Sequence, residues 1–317
     1  MIRVFYIHEG RVNWIKNPDD LEFPAEDRII WVDLQHPDNE EKAAVEKKFN
    51  LEFQTPQEMA EIESSSRYIE YEERIEANTN FVEVDGGNAY VRQVSFILQD
   101  NTLFSLRNSD MRAFAEAVRK LKTIRKSPGL LGSQILMLLL EVRIDLDADF
   151  IEYVTRQTTI LSRKLTKKKE YGEEILIQIT ELQENMILIR ESITDKQRLV
   201  SSLIKSSLIK DTEKDRLRIV MKDINSLLQH TEFGFERLEY LQDTFMGLVN
   251  IEQNQVIKIF TVVTVAFMPP TLIASIYGMN FRYMPELFWG WGYPIALALM
   301  IMSSLLFLWY FRRRGWL

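Results

Sequence analysis

Residues 256–280 read VIKIFTVVTVAFMPPTLIASIYGMN, residues 281–292 read FRYMPELFWGWG, and residues 293–311 read YPIALALMIMSSLLFLWYF. Lys258 is the one charge in residues 256–277, and residues 293–311 carry none. At ~1.5 Å per helical residue, each run reaches across a hydrocarbon core of about 30 Å. The reading is two membrane-spanning helices, about 256–277 and 293–311, joined by a short loop. Everything before about residue 254 is expected outside the bilayer.

The chain has 317 residues and a formal net charge of −7. Residues 254–317 hold five basic residues and one acidic residue, which leaves 34 basic and 45 acidic residues in 1–253, a net of −11. A body this acidic argues against a phosphate-backbone partner, so no nucleic acid is expected. It would gather cations instead. There is no cysteine, which removes disulfides, thiolate metal sites and cysteine nucleophiles. MIRVFYIHEGRVNW contains no apolar core of a cleavable signal. Arg312–Arg314 and Lys258 flank the spans on one side, against Arg282 alone in the loop, so both termini are expected in the cytoplasm.

Alternation predicts short strands at Arg3–Ile7, Val12–Ile15 and Ile29–Leu34. Asp38 followed by Glu41 is a capping box for a helix to Phe49, and Pro56 opens a short helix to about Ile62. Strands are expected at Tyr68–Ile75, Asn80–Val84, Tyr90–Leu98 and Thr102–Leu106, with turns at Asp85-Gly86-Gly87 and Asp100-Asn101. Ser109 or Asp110 starts a helix to about Lys126. Residues 1–128 thus form a cytoplasmic α/β domain with a mixed sheet flanked by helices. Residues 130–268 lack proline, and their apolar spacing predicts long helices at about 130–168, 171–208 and 212–276. The domain plan is 1–128, then a long-helix and stalk region 129–253, then a two-span pore domain 254–317. The stalk helix runs straight into the first span.

Within that span, positions 254, 257, 261, 264, 268, 271 and 275 are Asn254, Ile257, Thr261, Thr264, Met268, Thr271 and Ser275, all on one helix face. Such a stripe suits a pore wall, and it also suits a helix–helix contact. Extended backwards, the same face carries Glu232, Glu236, Glu239 and Asp243. That is either a solvated acidic face or the cation-gathering mouth of a pore, with Glu236 and Asp243 the residues of interest. Pro269-Pro270 predicts a bend, its freed carbonyls met by neighbouring helices or hydroxyls. Trp289, Trp291 and Trp309 read as interfacial anchors. His8, His36 and His230 are isolated. Asp145, Asp147 and Asp149 lack the glycine and closing glutamate of a calcium loop. No phosphate-binding loop or hydrolase motif appears, and no enzyme activity is expected.

Tyr277-Gly278-Met279-Asn280 after the first span, Met284-Pro285-Glu286-Leu287 in the loop and the ending YFRRRGWL resemble the CorA magnesium transporter family. The resemblance implies a homopentameric funnel in the inner membrane that passes Mg2+, with Co2+ and Ni2+ as further ions, and holds no organic cofactor. It implies a selectivity filter at Gly278, Met279 and Asn280, a polar ring at Asn254, and hydrophobic gating rings at Ile257, Phe260 and Met268. It also implies closure by cytoplasmic Mg2+. Departures at Ile257 and Phe260, where Met and Leu can stand in relatives, leave the size of the constriction open. A ZntB-like zinc transporter and a non-conducting membrane-anchored sensor are the competing readings.

Overall fold

The computed structural model describes residues 1–17, 28–59, 67–123, 129–167 and 172–316. They divide into two compact units, Met1–Leu241 and Gln242–Leu317.

In the first unit, the described residues form one seven-stranded sheet. Its strands are β1 (Ile2–His8), β2 (Arg11–Lys16), β3 (Arg28–Gln35), β4 (Tyr68–Glu70), β5 (Arg74–Asp85), β6 (Asn88–Gln99) and β7 (Thr102–Arg107). Their order across the sheet is β2-β1-β3-β7-β6-β5-β4. Tight turns set the hairpins. Gly86 and Gly87 take φ of 58° and 91° between β5 and β6, and Asp100 and Asn101 take 50° and 63° between β6 and β7. Two central residues at positive φ match the right-handed twist of paired strands. Among the described residues, the one parallel pair is β3 with β7, Trp31 opposite Leu103. A parallel pair needs a crossover, and residues 36–101 supply it.

Helices cover the sheet. α1 (Asn39–Phe49) starts at the predicted capping box, with Asp38 and Glu41 each bonding the other's backbone. Its Val45 joins Val4, Val32, Leu34 and Phe104 in one apolar cluster. α2 (Pro56–Met59) follows, and the expected extension to Ile62 lies outside the described residues. α3 (Arg112–Thr123) brings Phe114 against Trp31, Phe81 and Phe96. α4 (Gly132–Lys167) and α5 (Glu173–Lys205) form a long helical hairpin, and α6 (Asp211–Tyr277) begins in this unit.

Two sequence expectations shift. Tyr68–Ile75 is not one strand: the chain reverses at Tyr71–Glu73, where the Tyr71 N–H donates to the Arg74 carbonyl at 2.7 Å. The next strand then runs unbroken from Arg74 to Asp85, paired along its whole length with β6. α3 begins at Arg112 rather than at Ser109 or Asp110, because other groups occupy the expected cap. The Gln35 amide donates to the Asp110 carboxylate, Arg107 donates to the Ser109 carbonyl at 2.6 Å, and Glu83 accepts from the Arg112 N–H at 3.4 Å.

Two buried ionic clusters brace this unit, the first within the sheet and the second between helices and sheet. Fully buried Asp33 accepts from Arg3 at 2.6 Å, Arg107 at 3.0 Å and Ser105 at 2.9 Å. On the same face of the sheet, Asp147 of α4 sits 2.7 Å from Arg143 and 3.2 Å from Lys196 of α5. Lys196 also donates to the Asn80 carbonyl of β5 at 3.1 Å, which ties the helical hairpin to the sheet. Burial pushes the Lys196 ammonium pKa down, and the Asp147 carboxylate opposes that shift.

Removing one partner of a buried pair strands the other charge. Asp147→Ala is therefore expected to cost about 3–5 kcal/mol in urea unfolding. Asp145→Ala, on the exposed side of the same turn, should stay within about 0.5 kcal/mol. Equal losses at both positions would show that the cluster does not hold the hairpin.

Candidate site: the exposed face of the first span

The second unit contains the end of α6, a 3-10 turn at Pro285–Phe288 and α7 (Gly292–Arg313). Both α6 and α7 contain stretches long and apolar enough to cross a membrane. α6 is helical through Pro269-Pro270. Proline has no N–H, so Pro270 leaves the carbonyl of Ala266, four residues back, without its helical donor. The Ser304 hydroxyl of α7 donates to that carbonyl at 2.9 Å. A bond missing within one span is thus supplied by the other. Val262 and Ala266 are buried on this side.

The stripe lies on the other side. At 3.6 residues per turn, the centre of positions 254–275 falls roughly 150° around the helix from Val262 and Ala266. Asn254, Thr264, Thr271 and Ser275 are exposed, Thr261 is half-buried, and Ile257, Phe260 and Met268 are 60%, 69% and 61% exposed. Thr261, Thr264 and Thr271 each donate to the carbonyl four residues earlier, at 2.8 Å in every case. Their hydrogens being engaged, the three hydroxyls present acceptor lone pairs outward. Further back on α6, Glu236 and Asp243 are both exposed. Among the described residues, no three His, Cys, Asp or Glu side chains gather as a metal centre.

α6 ends at Tyr277, and Gly278, Met279 and Asn280 follow as an exposed segment. The Gly278 N–H donates to the Ala274 carbonyl at 2.9 Å and Met279 to Ile276 at 3.3 Å. Neither Gly278 nor Asn280 takes a positive φ, so the stop does not use the left-handed conformation that Gly and Asn tolerate. Gly278 answers a different need: a Cβ there would lie 3.1 Å from the Ala274 carbonyl oxygen. Beyond it, Phe288, Trp289, Trp291 and Tyr293 are all exposed. Ser304 was not singled out by sequence reasoning, although Ser303-Ser304 is the one polar pair inside an uncharged apolar run.

Residues 26–313 match the family model described as CorA-like Mg2+ transporter protein. The chain belongs to this family. It is 38% identical over 323 residues to the magnesium transport protein CorA of Wolinella succinogenes, with 100% of both chains covered. It is 40% identical over 318 residues to that of Campylobacter jejuni, covering 97% of this chain and 96% of the relative. The fold matches the solved CorA magnesium transporter of Methanocaldococcus jannaschii with a TM-score of 0.84 at 20% identity, over 100% of this chain and 99% of that one. CorA-like proteins are membrane transporters and not enzymes.

The Ser304 contact is open to a direct test. Ser304→Ala leaves the Ala266 carbonyl unpaired and should lower stability by about 0.6–2 kcal/mol, the span found for hydrogen bonds between membrane helices. In a Pro270→Ala background, which restores the helical N–H, the same change should cost nothing. A double-mutant cycle on thermal unfolding in detergent reads the difference, and additive effects would reject the pairing.

Proposed function

We propose that this chain carries Mg2+, and with it Co2+ and Ni2+, across the inner membrane through a pore formed by five copies. The observation that carries this reading is the placement of the stripe. Its hydroxyls and amide sit on the side of α6 away from α7, exposed in a single chain. In a ring of copies that face would become the wall of a pore. Five Asn280 side chains would form the filter at its outer end, with Gly278 and Met279 shaping the approach. Mg2+ gives up its water reluctantly and its bound waters are strong donors, so neutral amide and hydroxyl acceptors suit the hydrated ion. A ring of carboxylates would hold it too tightly for release.

Asn254 would add a polar ring, and Ile257, Phe260 and Met268 would close the pore by dewetting. The Lys/Arg asymmetry about the spans supports both termini in the cytoplasm. There the acidic body would bind regulatory Mg2+, which favours closure only if the closed arrangement binds the ion better. The working division is residues 1–128 and 129–253 as sensor and stalk, and 254–317 as pore. At 100 mV the membrane potential supplies about 2.3 kcal/mol per charge, twice that for a divalent ion, so no nucleotide is required.

Asn280→Ala is expected to lower Mg2+ uptake by proteoliposomes roughly tenfold or more by removing the filter acceptors. Parent-level uptake by the variant would reject the filter role, no uptake by the parent above empty liposomes would favour a non-conducting anchor, and zinc flux without Mg2+ flux would favour the zinc transporter reading. For the mouth, Glu236→Gln with Asp243→Asn should lower flux severalfold at low ionic strength. The loss should fade near 0.15 M salt, where the Debye length is about 8 Å. Salt-independent flux equal to the parent's would mean that this face is merely solvated.

A further inference from the structure

The last turn of α7 is built as a cationic clamp. Gly315 has φ of 72°, its N–H donates to the Arg312 carbonyl at 3.2 Å, and the Trp316 N–H donates to the Phe311 carbonyl at 3.0 Å. These two crossed bonds are a Schellman stop, and the apolar contact that accompanies such a stop is present. The Trp316 ring folds back to 5.5 Å from the Phe311 ring. The chain therefore turns back on itself at the end of α7.

Three consecutive arginines at that turn, Arg312, Arg313 and Arg314, are all exposed. Arg313 lies 5.5 Å from the centre of the Trp309 ring, and Arg314 lies 5.8 Å from the centre of the Tyr310 ring. Among the described residues, Arg312, Arg313 and Arg314 make no ion pair with a carboxylate. The single acid of residues 254–317, Glu286, precedes the opposite end of α7. A guanidinium stacked on a ring still has its N–H edges free, and their fork matches the oxygens of a phosphate. Trp and Tyr at the end of a span sit at headgroup depth.

We propose that Arg312, Arg313 and Arg314, the last two braced on Trp309 and Tyr310, form a binding site for the phosphodiester headgroup of an anionic glycerophospholipid. The site requires α7 to cross the bilayer but does not depend on which ion the protein carries. Its role would be to fix the depth and rotation of α7 through attraction to the anionic surface.

The test uses the full-length protein in detergent micelles doped with phosphatidylglycerol or with phosphatidylcholine of the same acyl chains. Binding to the folded state raises its melting midpoint by mass action. Phosphatidylglycerol is expected to raise the midpoint by several degrees beyond phosphatidylcholine, and inorganic phosphate alone should not. The triple variant R312Q/R313Q/R314Q should lose that increment while keeping its midpoint in phosphatidylcholine. The charge-conserving R312K/R313K/R314K should retain only part of it, and it serves alone if the glutamine variant does not fold.

An increment that survives in the glutamine variant, or in full in the lysine variant, would overturn the proposal. So would an equal increment from inorganic phosphate. An equal destabilisation of the glutamine variant in both lipids would also overturn it, pointing to carboxylates of a second copy as the partners.

Discussion

The membrane unit turns on one hydrogen bond that proline forbids. A helix in hydrocarbon must satisfy its own backbone, because no water is there to do so. Pro270 breaks that rule at Ala266, and the Ser304 hydroxyl restores it from α7. The repair fixes which side of α6 meets its neighbour. It places Val262 and Ala266 inward and so leaves the opposite side of the helix uncovered. That uncovered side is where the asparagine and the hydroxyls are.

The uncovered side also has a definite chemistry. Threonine in a helix can turn its hydrogen back onto the preceding turn, and three of the four hydroxyl residues on the stripe do so. What remains outward is acceptor character without formal charge. Ile257 and Met268 alternate with these groups and break the polar surface into short lengths. Charge is concentrated elsewhere: the body before residue 254 carries the excess of carboxylates, while arginines gather at the end of α7.

Much of this was legible because it is local. The long helices at 132–167, 173–205 and 211–277 fall within a few residues of the expected 130–168, 171–208 and 212–276. Their ends are set by proline, glycine and lost periodicity, all of which a sequence displays. The Asp38–Glu41 capping box was readable for the same reason. The break at Tyr71–Glu73 was hidden, since that turn uses neither glycine nor proline and is flanked by strand-like residues. The neighbouring of β3 and β7 was hidden as well, because a pairing of residues 72 apart leaves no short-range trace. In the site, spacing alone gathered the stripe residues onto one face. It could not say which face of α6 would be covered, because that depends on Ser304 in a different helix. Lys196 and Asp147 are a similar case: each looks like a surface charge until α4 and α5 are laid against β5.

The spacing of the stripe has a consequence of handedness. From Asn254 to Ser275 it advances by alternating steps of three and four residues, a mean of 3.5, whereas a straight helix turns once in about 3.6 residues. The stripe therefore drifts by about 20° per heptad, or roughly 60° over its length. Copies of α6 that kept this face turned inward along the whole span would have to coil around one another with a left-handed sense. The chirality of such an assembly would thus be written into the difference between 3.5 and 3.6.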